Sequence, residues 1–241
     1  MPKLAFRLFA LLLSVALVAP AFAQKKEAAK KRTAFDKVED VAGLPRVLLI
    51  GDSISIGYTM QVQDNLKGIA NVHRPGTNCA STRQGVQSID KWLGDGKWDV
   101  IHFNWGLHDL KYVLGDSQTI TAVDTPDAHP QVSVDEYKAN LEKLVSRMEK
   151  TGAKLVWRNT TPVPVEGSNG RIPGDAAKYN EAALEVLKSH PDVVVEDMWS
   201  FVKPNQDKWK TSKGNVHFNG TANKELGKHV SDTIQAALPK K

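Results

Sequence analysis

Cys79 is the only cysteine among the 241 residues, so no internal disulfide can form and the core must hold together by packing. The seven histidines are scattered, with no H-E-x-x-H or comparable cluster, and the sequence implies neither a metal nor another cofactor. There is no internal repeat, no coiled-coil heptad and no G-K-[ST] phosphate loop, which excludes solenoids, long coiled coils and P-loop nucleotide binding. Long apolar runs are scarce too. The N-terminal one, Leu8 to Val18, is too short for an ordinary membrane span, so no stable span is expected.

That run sits between Lys3 and Arg7 on one side and Ala21-Phe22-Ala23 on the other, the layout of a secretory signal peptide with an A-x-A cleavage site. Residues 1–23 are therefore read as a leader, and the protein as exported, periplasmic or secreted. Removing Lys3 and Arg7 lowers the formal net charge of +5 by two, and much of the remaining basic excess lies in KKEAAKKR, Lys25 to Arg32. With no apolar helical face beside it, this run reads as a solvated tail, residues 24–42, and not as a nucleic-acid or membrane site. Residues 43–241 suit one domain.

Within that domain, short apolar runs rich in β-branched residues recur at Arg46–Ile50, Asp99–Phe103, Lys154–Trp157 and Val193–Val195, with a weaker one at Asn71–His73. Helical spacing predicts helices over Thr82–Leu93, Val134–Lys150, Ala176–Ser189 and Thr221–Ala237. Ser133 is the expected N-cap of the second, with Glu136 three residues on, and Gly152 its C-terminal stop. Near-continuous apolar strands alternating with helices predict a parallel sheet covered on both faces, with chemistry at the carboxyl ends of the strands. Two loops stand out, Asp116–Val132 and Pro162–Gly174.

Gly51-Asp52-Ser53 follows the first strand, so Ser53 belongs at that edge. Its hydroxyl is there either a nucleophile or an N-cap. Glycine is missing at Ser55, so this is not the G-x-S-x-G elbow. At the far end, SKGNVHFNG places His217 in a turn-rich segment before the last helix, and a serine nucleophile needs such a base within hydrogen-bond reach.

GDS after the first strand, HRPGTNCASTRQG after the second, NWGLHD after the third and VHFN near the end occur in that order, and the chain resembles the SGNH or GDSL hydrolases. The resemblance implies a three-layer α/β/α fold with a five-stranded parallel, flavodoxin-like sheet, Ser53 as nucleophile and His217 as base. It implies oxyanion donors from the Ser53 backbone, from the second block and from a side chain of the third. Three departures bear on this. Where the family has asparagine after G-x, this chain has His108, whose N–H can also donate. Where the family has the acid of D-x-x-H, this chain has Gly214, leaving a backbone carbonyl, Asn215 or a distant acid such as Asp207 to orient His217. Where the family usually has its oxyanion glycine, this chain has Cys79, with Gly76 the nearest glycine.

Together these readings make the expected activity that of an exported serine esterase acting on small-molecule or glycan esters, with a lean toward O-acetyl carbohydrate. Trp105, Asp109, Lys111, Arg158 and Asn159 are the candidate substrate contacts, while Trp92, Trp98, Trp199 and Trp209 read as packing residues. The competing readings are a lipase or lysophospholipase of the same family and a non-catalytic carbohydrate-binding relative. The oligomeric state is left at monomer by default.

Overall fold

The computed structural model describes residue 1, residues 31–168 and residues 170–240. The leader and nearly all of the Lys25–Arg32 run lie outside the described residues, and the compact unit begins at Arg32. Residues 32–42, assigned to the tail on charge, belong to this unit. Arg32 pairs with Asp64 at 2.7 Å, and the Asn71 side chain bonds both the N–H and the carbonyl of Val41. A basic composition conceals such anchoring because the contacts are single side chains with no periodicity.

The strands are β1 (Arg46–Ile50), β2 (Asn71–His73), β3 (Val100–Phe103), β4 (Tyr112–Val113), β5 (His129–Pro130), β6 (Lys154–Arg158) and β7 (Val194–Glu196). Five of them form a parallel sheet in the order β2-β1-β3-β6-β7, with β4 and β5 a separate antiparallel pair. Every residue of β3 is buried, as is typical of a strand covered on both faces. Between β1 and β3 the strand order reverses, the position outside whose carboxyl ends sheets of this kind bind ligands.

Helices α1 (Ser53–Asn65) and α7 (Gly220–Ala237) pack together, and α2 (Thr82–Leu93), α3 (Val134–Glu149) and α4 (Asp175–Leu187) form a second group. Right-handed crossovers in opposite directions from β1 place the two groups on opposite faces of the sheet. Among the described residues no helix is long and apolar enough to cross a membrane. The helix predicted over Thr82–Leu93 recurs with the same bounds, and the other three with ends shifted by at most two residues. Ser133 caps α3 by accepting from the Glu136 N–H at 3.2 Å, while the Glu136 carboxylate binds Arg83 of α2 through two bonds instead of closing back on the cap. Gly152 follows at φ +76°, the left-handed conformation that glycine tolerates. The sequence did not define α1, whose SISIGYTMQVQDN lacks an apolar stripe, nor the short helices α5 (Met198–Val202) and α6 (Gln206–Trp209).

Candidate active site

At the end of β1 the chain turns at Gly51 and enters α1. Asp52, not Ser53, supplies the cap: its Oδ1 accepts from the Ile54 N–H at 2.9 Å and its carbonyl from the Ile56 N–H. The Ser53 hydroxyl is left for other work. Arg74, just after β2, fixes the turn from behind by donating to Ser55 Oγ, Thr59 Oγ1 and the Gly51 carbonyl.

His217 reaches Ser53 from the other end of the chain, with Nε2 2.8 Å from Ser53 Oγ. Three features put it there. A turn from Lys210 to Phe218 is closed by an antiparallel bridge, with the Thr211 N–H donating to the His217 carbonyl at 3.0 Å. Glu166 clamps that turn by accepting from Lys210 and from the Gly214 N–H at 2.9 Å, and these donors hold its carboxyl down at about 2. Finally, α7 lies very close to α1: a Cβ at Gly227 would meet Gln61 Cβ at 2.7 Å, and one at Gly57 would meet Asn223 Oδ1 at 2.7 Å.

Asn215 answers the question left by the absent acid. Its Oδ1 lies 2.9 Å from the His217 backbone nitrogen and 2.8 Å from His217 Nδ1. Because a backbone N–H only donates, the Asn215 atom there must be the oxygen; the facing Nδ1 must then carry the proton, and Nε2 is left as an acceptor for the serine hydroxyl. Asp207 does not take part. Its side chain is 84% exposed and pairs with Lys210 at 2.8 Å.

The groups expected to face an oxyanion are placed unevenly. The Ser53 N–H, first in α1, has no partner among the described residues and carries the positive end of the helix dipole. The Cys79 N–H, by contrast, donates to the Gly51 carbonyl at 3.2 Å and is not free, while burial pushes the Cys79 thiol up to about 11. Gly76 lies elsewhere, in a depression with Trp92 and Trp98. His108 follows Gly106, whose φ of +153° and missing side chain let the turn press on Thr160; a Cβ would collide with Thr160 Oγ1. Burial holds the His108 imidazole below its usual range, with Lys111, Arg171 and His217 adding positive field and Asp52 opposing them. At neutral pH it is an uncharged imidazole, with one N–H to donate and no hydrogen-bond partner among the described residues.

Most expected substrate contacts are inside. Trp105 is fully buried, packs on Phe103 and donates its Nε1–H to the Cys79 carbonyl at 3.3 Å. Asp109 is buried and accepts from the N–H and hydroxyl of Thr82. Arg158 is 1% exposed and bonds Asn104 at 2.6 Å. Asn159 joins Asp197 and the Trp199 N–H. Each lies at or after the carboxyl end of an apolar strand and is tied to the body of the domain, which motif proximity alone does not distinguish from a substrate-facing position. Lys111 is also buried, its Nζ on the Gln118 carbonyl, yet its charge faces His108. Arg171, from the loop before α4, reaches the same place by donating its Nε–H to the Leu107 carbonyl at 2.9 Å. The sequence reading missed Arg171 and Arg74, for isolated arginines in polar loops give no pattern.

The site is open: Ser53 is half-buried and His217 exposed. A groove of about 800 Å³ lies elsewhere, at the amino edge of the sheet between Pro45, Ile69 and Leu238, the wrong end for ligand chemistry on a parallel sheet. Among the described residues no cluster of three or more His, Cys, Asp or Glu is arranged to hold a metal.

The sheet order and the helices packed on it define the class, a three-layer α/β/α protein with a flavodoxin-like parallel sheet. The profile of the GDSL-like Lipase/Acylhydrolase family matches residues 47–230, and the chain belongs to that family, whose membership implies ester hydrolase activity. Among solved structures, the lipase/acylhydrolase from Enterococcus faecalis superposes with a TM-score of 0.66 at 19% identity, covering 82% of this chain and 99% of that one. An acetyl xylan esterase, AlAXEase, gives 0.61 at 14% identity, covering 78% and 99%. A variant of an acetyl xylan esterase from Geobacillus stearothermophilus gives 0.62 at 15%, covering 82% and 97%. At these identities the likeness concerns the fold. A search of curated protein sequences returns no match.

Proposed function

We propose that the protein is an exported serine esterase that removes small acyl groups, acetyl first among them, from carbohydrate. The observation that carries this reading is the run of two 2.8 Å contacts from Ser53 Oγ to His217 Nε2 and from His217 Nδ1 to Asn215 Oδ1. Ser53 Oγ attacks the ester carbonyl carbon while its proton passes to Nε2. The negative charge developing on the carbonyl oxygen meets the Ser53 N–H and the His108 N–H. Collapse expels the alcohol oxygen, which takes the proton back from Nε2. Water then attacks the acyl-serine with Nε2 again as base, the ester bond to Ser53 breaks, and the carboxylic acid leaves.

Asn215 fixes the tautomer as the family's acid would but adds no negative charge, so the imidazolium formed in each step is stabilised by orientation and a neutral hydrogen bond. Support for a small acyl group comes from the polar surroundings, with an exposed His217 and, beside His108, the cations of Lys111 and Arg171. Two of the structures with this fold are acetyl xylan esterases, which supports the carbohydrate reading. The leader read at residues 1–23 supports export.

The test is p-nitrophenyl acetate, butyrate and octanoate with the parent, Ser53→Ala and His217→Ala, followed by acetylated glycans. Turnover by the parent alone, fastest on acetate, is expected. Turnover rising with chain length points instead to a lipase, and background rates from all three proteins overturn the esterase reading.

A further inference from the structure

We propose that Arg171 sets substrate specificity by binding a carboxylate carried by the substrate close to the scissile ester, so that the preferred substrates are acidic esters such as O-acetylated uronate sugars. The inference rests on the esterase reading above and names the substrate class of that site.

The loop before α4 presents this side chain with unusual economy. Ser168 and Arg171 close a tight turn, with the Arg171 N–H on the Ser168 carbonyl at 2.6 Å. Between them Gly170 sits at φ +66°, where an added Cβ would collide with the Thr121 carbonyl. The Gly170 carbonyl accepts from the Tyr112 N–H at 2.7 Å, which ties the turn to β4. Out of this turn Arg171 places Nε on the Leu107 carbonyl, one residue before His108. One edge of the guanidinium is thereby committed and its position beside Leu107 fixed.

Those outer nitrogens have no hydrogen-bond partner among the described residues, and no carboxylate lies within 4.0 Å of them. The other site arginines differ. Arg83 donates to Glu136 through two bonds, and Arg74 donates to Ser55, Thr59 and three carbonyls. Arg158 keeps unpartnered nitrogens, but they are sealed from solvent, whereas those of Arg171 are not. A half-buried guanidinium left open beside His108 is matched in shape by a planar carboxylate, which two parallel N–H groups can grip.

The local charge points the same way. Lys111 lies alongside: burial and then the Arg171 charge hold its ammonium below the ordinary range, while burial alone lowers the Arg171 guanidinium. Asp52 is the acid whose field reaches Arg171. Bringing two partly desolvated cations together is unfavourable, and a substrate anion offsets it.

Two pairs of esters test this, each matched in size and differing in a carboxylate. For an anion on the alcohol side, O-acetylated methyl glucuronoside is compared with O-acetylated methyl glucoside. For one on the acyl side, the mono-p-nitrophenyl ester of succinate is compared with p-nitrophenyl butyrate. In at least one pair the parent should show a kcat/KM ratio of about ten- to a hundredfold in favour of the acid, the range a charged hydrogen-bonded contact supplies. That ratio should fall toward one in Arg171→Gln, be partly kept in Arg171→Lys, and shrink with added salt. The pair that responds identifies the side on which the carboxylate sits. Ratios near or below one in both pairs, or ratios unmoved by Arg171→Gln, overturn the proposal while leaving the esterase reading intact.

If no ester is cleaved in a Ser53-dependent way, the esterase reading fails by itself, and binding decides on Arg171. Glucuronate and glucose are then titrated into the Ser53→Ala protein and followed by NMR. Selective binding of glucuronate that is lost in the Ser53→Ala, Arg171→Gln double variant supports the anion site; equal or absent binding of both sugars overturns it.

Discussion

A single oxygen, Asn215 Oδ1, accepts from both the backbone N–H and the imidazole Nδ1–H of His217, at 2.9 and 2.8 Å. The neutral side chain two residues before the histidine thus does the orienting work that the acid three residues before would do. Ser53→Ala and His217→Ala should each lower kcat by about a thousandfold or more, and Asn215→Ala by less, since the ring keeps its contact with Ser53. Asn215→Asp should preserve turnover and move the acid limb of the pH–rate profile upward, because a nearby carboxylate favours the protonated imidazole. An acid limb that moves down or stays in place would contradict this geometry.

His108 stands where the family's asparagine donor is expected, and burial keeps it neutral. His108→Ala should cost about a hundredfold or more in kcat with a smaller change in KM, as for loss of an oxyanion donor. His108→Asn should recover part of that loss, since the amide also donates. Stopped-flow measurement of acyl-enzyme formation with p-nitrophenyl acetate separates this effect from deacylation.

The close contact between α1 and α7 joins the helix that begins at Ser53 to the one that follows His217. In Gly227→Ala the new methyl would meet Gln61 Cβ at 2.7 Å, forcing the helices apart. We expect a loss of about 1–3 kcal/mol in stability by urea unfolding and a fall in kcat in the folded fraction. An unchanged kcat would show that the 210–218 turn alone positions the histidine.

Burial pushes the Asp109 carboxyl up to about 7 from an ordinary 3.8, outweighing the two Thr82 donors that pull it down. The folded protein therefore holds this proton more tightly than the unfolded chain does. That contribution is complete below pH 4 and is lost as the pH rises through 7, so stability should decline across this interval. Asp109→Asn, which keeps an oxygen for Thr82, should flatten the slope of melting temperature against pH. A slope equal to the parent's would assign the effect to other groups.

The sequence by itself determined the parallel sheet, four of its flanking helices to within two residues, and the two ends of the chain that meet at the site. Those features rest on local patterns: β-branched runs, 3.6-residue spacing, the Ser133 cap and short motifs after strands. What only the tertiary structure decided was where side chains in similar local settings end up. Ser53 and Asp52 both follow β1, and the hydrogen bond to Ile54 assigns the cap to Asp52 and frees Ser53. Trp105, Asp109 and Arg158 adjoin the motifs yet point into the core, because the residues after a covered strand face the interior as readily as the site. Arg171 carries no motif at all. It enters the site because the turn closed by Ser168 and Gly170 delivers it to the Leu107 carbonyl across 64 residues of chain, a contact that no local pattern encodes.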